Sequence, residues 1–195
     1  MNNDIIIAGV GGQGILSIAS TIGYAAIESG LIIKQSEVHG MSQRGGDVQS
    51  HLRISDKEIA SDLIPKGKAD LIISVEPMEG LRYLPFLSKS GWLVTNTKPF
   101  VNIAKYPDEK KLIEEIKSLE KQVTLNADQI AAELGSVKAA NMVILGAASP
   151  FIKVEFELLE NAIRVIFGPK GGETVNMNLK ALHAGRNFTR KLINK

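Results

Sequence analysis

The stretch Asp4-Ile5-Ile6-Ile7-Ala8-Gly9-Val10-Gly11-Gly12-Gln13-Gly14 decides the fold. Its first half is an apolar strand pattern, its second half breaks into glycines, and a helical pattern begins at Ile15. Strand, glycine loop and helix start follow one another without a gap. Glycines permit backbone angles and close approaches that a Cβ would block, and the first-turn N–H groups of a helix have no partner within the helix. With the positive end of the helix dipole they make a seat for a diphosphate or another anion. Gly9, Gly11 and Gly14 fit the spacing G-x-G-x-x-G, with the strand before and the helix after that the motif requires. The loop therefore seats a phosphate-bearing ligand or closes a tight helix–strand packing; the plainer reading is a glycine-rich turn that binds nothing.

Working outward, Ile15, Ile18, Ala19, Ile22, Ala25 and Ala26 fall on one stripe of the helix, which should pack on a sheet. Gly30 sits where a helix ends, and Leu31 to Ser36 reads as a second strand. A Rossmann-like first βαβ unit is the economical reading. Next comes Glu37-Val38-His39-Gly40-Met41-Ser42-Gln43-Arg44-Gly45-Gly46, which packs a His, an Arg, a Glu and three glycines into ten residues. A loop at the carboxyl end of a strand, beside the first glycine loop, is where α/β folds place ligands; a solvated turn is the alternative. Arg44 can hold a carboxylate or phosphate with two hydrogen bonds. His39 can serve as acid, base or donor, although a lone His more often only satisfies local hydrogen bonds. Glu37 follows Gly14 by 37 − 14 = 23 positions, close to where a dinucleotide fold places its ribose-binding acid.

Asp47 to Ile54 alternates, with Val48, Ser50, Leu52 and Ile54 on one side and Gln49, His51 and Arg53 on the other. It reads as a half-exposed strand, too close to its predecessor for a crossover helix and hence antiparallel. Leu71 to Val75 is a buried strand, Glu76-Pro77 opens a short helix through Leu87, Ser88 to Gly91 reads as a turn, and Trp92 to Asn96 as another strand. Glu76 and Asn96 stand at carboxyl ends of strands, where ligand contacts are made; for Glu76 a helix-start carboxylate is equally good. Tyr106 and Lys110 have the Tyr-x-x-x-Lys spacing of short-chain dehydrogenases, but Pro107 disfavours a helical Tyr106. A charged helix covers about 108–119, a short strand 123–126 and a helix 128–134. The helix from Val137 to Ala148 is apolar nearly all round, which predicts burial in the domain or under a partner, and its Asn141 needs hydrogen-bond partners. Helices over 155–167 and from 173 onward close the chain, the last with a core stripe of Met177, Ala181, Ala184, Phe188 and Leu192 opposite Arg186 and Arg190. From Thr174 to Lys195 there are five Lys or Arg and no acid, either a solvated face or a dock for an acidic partner. The whole predicts an α/β protein: three layers, α/β/α, around a mixed, mostly parallel sheet, with residues 1–195 as a single domain.

Composition narrows the function. The chain has no cysteine, so it supplies no disulfide, no thiolate-bound zinc and no iron–sulfur cluster ligand. A formal net charge of +2 and the lack of an aromatic-interleaved basic platform argue against nucleic acid. No apolar run reaches the roughly 18 residues that cross a bilayer, and no basic leader precedes Asp4, so the expectation is a cytoplasmic protein without a membrane partner. No metal-ligand set stands out, and no catalytic residue can be assigned.

Ile7 to Ile15 together with Ser36 to Gly46 resembles the gamma-type domain of the 2-oxoacid:ferredoxin oxidoreductases, and the second segment is most similar to the indolepyruvate ferredoxin oxidoreductase beta subunits. The similarity covers the whole chain, including Asp70 to Glu76 and the Asn96-Thr97 pair. It implies a small subunit of a hetero-oligomeric enzyme that oxidatively decarboxylates a 2-oxoacid, an aryl pyruvate such as indolepyruvate, to its acyl-coenzyme A and reduces ferredoxin. A large partner would hold thiamine diphosphate, Mg and the iron–sulfur clusters, and ferredoxin would be reached through it. The missing cysteines, and the absence of a Gly-Asp-Gly segment of the kind that holds thiamine diphosphate through a metal, agree with that division. This chain would bind no cofactor firmly and would be inactive alone. Its ligand-contact candidates are Gly9, Gly11, Gly12, Gln13, Gly14, Glu37, His39, Arg44, Gly45, Gly46 and Asn96, with coenzyme A as the ligand. An NAD-dependent dehydrogenase using Glu37 and a purely structural subunit are the alternatives.

Overall fold

In a computed structural model the apolar run of the glycine segment is strand β1 (Asn2–Val10), and helix α1 (Ile15–Glu28) follows the loop directly. The structure describes residues 1–40, 46–101, 103 and 105–194, His39 by its backbone only. Beyond α1 run β2 (Ile32–His39), β3 (Asp47–Ser55), β4 (Ala69–Ser74), α2 (Pro77–Arg82), β5 (Leu87–Asn96), α3 (Glu109–Lys117) and β6 (Gln122–Leu125). They are followed by α4 (Ala127–Glu133), α5 (Ala140–Ala148), α6 (Phe156–Phe167) and α7 (Gly172–Ile193).

The strands form one sheet in the order β2-β3-β1-β4-β5-β6. β3 is antiparallel to both its neighbours, while β1–β4, β4–β5 and β5–β6 are parallel pairs. The sheet is mixed and mostly parallel, as expected. β1 and β2 also run parallel and are joined through α1, but β3 lies between them. The short Gly40–Gly46 connection can only return the chain antiparallel, and β3 takes the slot next to β1.

Alternation in β1 sends its side chains into two cores. Ile5 and Ile7 join Leu71, Ile73 and Val94 under α1, α5 and α6. Ile6 and Ala8 join Ile72 and Leu93 under α2 and α3. All six predicted positions of the α1 stripe are buried. α5 is covered on one side by β4 and β5 and on the other by α7, so its apolar circumference is buried within this chain.

Three expectations are corrected. β3 is not half-exposed: the segment after it folds back, Arg53 donates to the carbonyls of Ser61 and Leu63, and the Ile64 N–H donates to His51 Nδ1, which buries the His51 face. Ser88 to Gly91 is not a turn outside the sheet but an irregularity inside β5. There Ala69 pairs with Leu87 while Leu71 pairs with Trp92, and the Ala69 carbonyl lies 2.7 Å from where a Gly91 Cβ would sit. The buried face of α7 is Asn178, Ala181, Leu182, Gly185 and Thr189; Phe188 and Leu192 are exposed and Arg186 stacks on the Phe156 ring at 3.6 Å. An apolar stripe loses here to close packing of two helices. A Cβ on Gly185 would lie 1.9 Å from the Val143 carbonyl oxygen, one on Gly146 as close to that of Leu182, and Thr189 donates to the Ala147 carbonyl at 2.7 Å.

Candidate functional site

The glycine loop is built by its own residues before any ligand is considered. Gln13 turns back so that its Oε1 accepts the Val10 N–H at 2.8 Å, and its own N–H donates to the Val10 carbonyl. Gly9 is a packing residue: a Cβ would stand 2.3 Å from Val75 Cγ2. Gly14 is left-handed, with φ of 80°, and caps α1 without a side chain, so no side chain occupies the amides of the first turn. Gly12, with φ of 99°, has open space where a Cβ would point. The loop thus presents bare backbone toward a cleft. That is the geometry an anion seat needs.

The second loop meets the first through the Gly11 N–H, which donates to the Gly46 carbonyl at 2.9 Å. Arg44 and Gly45, and the side chain of His39, lie outside the described residues. Glu37 is paired across β3: it stands opposite Ser50, which stands opposite Ile7. It is therefore two strands away from β1 and level with Ile7 rather than with the loop.

Two cavities adjoin at the carboxyl edge of the sheet. The smaller, about 160 Å³, is lined by Gly12, Gln13, Asn96, Asp128, Lys138 and Asn141, among others. The larger, about 580 Å³, shares Lys138 and Asn141 and continues past Ser17 toward Phe167, Lys170 and Thr174. Asn141 answers the expectation that it needs partners. Its Nδ2 donates to the Gly14 carbonyl at 3.3 Å, and it fills the space that a Gly14 Cβ would take. Asn96 lines the cleft, but its amide is engaged: it donates to Asp128 Oδ2 at 2.7 Å and to the Val75 carbonyl, and accepts the Ala127 N–H at 3.0 Å. It fastens β5 to the start of α4.

On the other face of the same edge lies a buried acidic cluster. Glu76 is fully buried and caps α2, accepting the Glu79 N–H at 2.8 Å, the Phe100 N–H at 3.3 Å and the Tyr106 hydroxyl. Of its two readings, helix-start carboxylate is the one realised. Burial, then the Glu76 carboxylate, pushes the Tyr106 hydroxyl well above the usual phenol range. Burial also raises Glu79, against the opposing pull of Arg82, whose Nε donates to it at 2.8 Å. Tyr106 lies outside a helix and pairs with Glu76, so the dehydrogenase-like spacing with Lys110 is coincidental.

With the loop and cleft in place, a family model described as pyruvate ferredoxin/flavodoxin oxidoreductase matches residues 4–188. The chain belongs to that family. Indolepyruvate oxidoreductase subunit IorB of Archaeoglobus fulgidus is 40% identical over 196 residues, spanning 96% of this chain and 95% of the relative. The subunit of the same name from Thermococcus kodakarensis is 36% identical, spanning 97% of each. A 2-oxoglutarate:ferredoxin oxidoreductase from Magnetococcus marinus, solved with 2-oxoglutarate, coenzyme A and succinyl-coenzyme A bound, shares the fold at a TM-score of 0.76 and 22% identity. It matches 97% of this chain, which spans only 31% of that longer one.

For a member of this family the cleft is better defined by structure than by motif. Gly12, Gln13 and Asn96 line the smaller cavity, Gly11 and Gly46 join the two loops beside it, Gly14 starts α1, Gly9 packs beneath the loop, and Glu37 stands apart. Lys138, Asp128 and Asn141 complete the lining. Lys138 and Asp128 belong to no motif; Asn141 was signalled only as a polar residue on an otherwise apolar helix. No helix among the described residues is long and apolar enough to cross a membrane.

Proposed function

We propose that residues 1–195 form a single gamma-type domain acting as the small subunit of a hetero-oligomeric, cytoplasmic 2-oxoacid ferredoxin oxidoreductase, whose substrate is an aryl pyruvate, indolepyruvate foremost. The larger partner carries thiamine diphosphate, Mg and the iron–sulfur clusters, and passes electrons to ferredoxin. This chain has no cysteine with which to ligate a cluster. Its own task is to hold the anionic part of coenzyme A at the cleft edge, through the amides of Gly12 and Gly14, the second loop with His39, Arg44, Gly45 and Gly46, and the rim around Asn96.

The observation that carries this reading is the uncapped, left-handed Gly14 start of α1 opening beside Gly12 into a cleft. A helix start without a side-chain cap, beside a glycine whose Cβ direction is open, suits binding of a phosphate rather than bond-making. The cation at Lys138 supplies a second anion contact.

The test uses the assembled enzyme. Replacing Arg44 by Ala and the Gly11-Gly12 pair by Ala should raise KM for coenzyme A at least tenfold, while the rate of 2-oxoacid-dependent dye reduction without coenzyme A stays near wild type. Unchanged KM in a correctly assembled variant overturns the coenzyme A assignment. Failure of the native chain to co-purify with a large iron–sulfur partner overturns the subunit assignment itself.

A further inference from the structure

The periodicity of α7 contains two stripes; this chain buries one of them, and the other only at its start, where Met177 packs against the core. Asn178, Ala181, Leu182, Gly185 and Thr189 face α5. The adjoining stripe, Met177, Ala184, Phe188 and Leu192, recurs at spacings of 7, 4 and 4 residues and lies about 80° round the helix from the first. Its outer end is open: Phe188 is 36% exposed and Leu192 45%. Apolar side chains in that register, two of them large and exposed, mark a face made for another surface.

Charge says what kind of surface. Lys180 and Lys191 border the stripe on its solvent side, and both are exposed. Among the described residues no acid pairs with either, whereas His183 on the α6 side is engaged by Glu160 at 2.6 Å. No acid follows Glu173 in the sequence. Lys191 suits the negative end of the helix dipole, but Lys180 lies in mid-helix, where the dipole offers it nothing. A second copy of this helix is a poor occupant: pairing two such stripes brings lysines against lysines with no acid to answer them.

We propose that this α7 stripe is the docking face for the larger subunit, which meets it with an apolar groove rimmed by Asp or Glu. The proposal rests on the subunit reading above. An apolar centre would supply affinity and the two lysines register and steering, as at other interfaces.

The experiment compares the co-expressed complex of the full chain with two double variants, Phe188→Ser with Leu192→Ser, and Lys180→Glu with Lys191→Glu. None of these residues lines the glycine cleft. Each double variant is expected to weaken assembly at least tenfold by analytical ultracentrifugation, while each isolated chain keeps its far-UV circular dichroism and melting temperature. The wild-type complex should also loosen with added salt and the charge variant should lose that dependence. Unchanged assembly of both variants at about 150 mM salt, where exposed charges act over only about 8 Å, overturns the proposal and leaves the subunit reading standing. A native chain that never assembles overturns both, and a self-dimer abolished by the Phe188 variant shows the face to be a homotypic contact and overturns it too.

Discussion

His51 shows how far one side chain can differ from its sequence expectation. Its Nδ1 accepts the Ile64 N–H at 3.0 Å, so the ring proton sits on Nε2, which faces Gln49 Oε1 at 3.4 Å. Protonating Nδ1 would set two donors against each other in a buried site. Burial lowers the pKa of His51 from its ordinary 6.5, Arg53 lowers it further and Asp62 opposes. The unfolded chain, whose His51 titrates near its ordinary value, therefore binds more protons than the folded one below that pH, and stability attributable to His51 is full above about 6.5 and falls as pH drops toward the lowered folded value. Urea midpoints measured at several pH values between about 5 and 8 should fall more steeply on acidification for wild type than for His51→Gln. Parallel slopes would mean that the Ile64 hydrogen bond does not govern this titration. Gly9 and Gly14 teach the complementary lesson. Both fit one motif, yet the first is required because Val75 crowds it and the second because the chain turns left-handed against Asn141. The spacing was legible, but the division of labour inside it depends on neighbours that lie far away in sequence.

At the scale of elements, the crossing of α5 and α7 holds the two tightest glycine contacts among the described residues. The Val143 and Leu182 carbonyl oxygens lie 1.9 Å from the Cβ positions of Gly185 and Gly146, and backbone cannot yield as a side-chain tip can. Gly185→Ala should destabilise by at least about 1–3 kcal/mol, the range for overpacking a close contact, read as a lowered urea midpoint. Gly168→Ala is the control, because nothing lies within 4 Å of its added Cβ and its φ is an ordinary −48°. There the change should be neutral or stabilising by about 0.4–1 kcal/mol. Equal effects at the two sites would show that the helices can separate without cost. The same crossing explains why the α7 core stripe was misplaced by reading the sequence. Hydropathy ranks Phe188 and Leu192 above Gly185 and Thr189, but helix approach selects for small residues and a hydroxyl that can reach a neighbouring carbonyl. The facing of α1 was legible from periodicity, because its stripe is aliphatic throughout; α7 was legible in extent and not in facing, because its closest approach is made by a glycine and a threonine.

For the whole molecule, the sequence carried the three-layer class, a mixed and mostly parallel sheet, and the antiparallel sense of β3, because the Gly40–Gly46 link is too short for a crossover helix. It did not carry the position of β3 between β1 and β2, and the placing of Glu37 turns on that position. In a dinucleotide fold the ribose-binding acid ends the strand next to the glycine-loop strand. Here the neighbouring slot belongs to β3, so Glu37 is displaced by one further strand spacing of about 4.8 Å, and it pairs level with Ile7, below the Gly9 that begins the loop. A nucleotide whose diphosphate sat on the glycine loop would find no ribose acid in the neighbouring strand. Titrating the isolated chain with NADH and following cofactor fluorescence should accordingly give no saturable change up to about 1 mM, a Kd limit that corresponds to about −4 kcal/mol of binding. Saturation well below that concentration, lost in Glu37→Ala and kept in Lys138→Ala, would restore the dehydrogenase reading and remove coenzyme A from the cleft. The topology predicts the reverse, since β3 fills the slot beside β1 where a dinucleotide fold puts its acid-bearing strand.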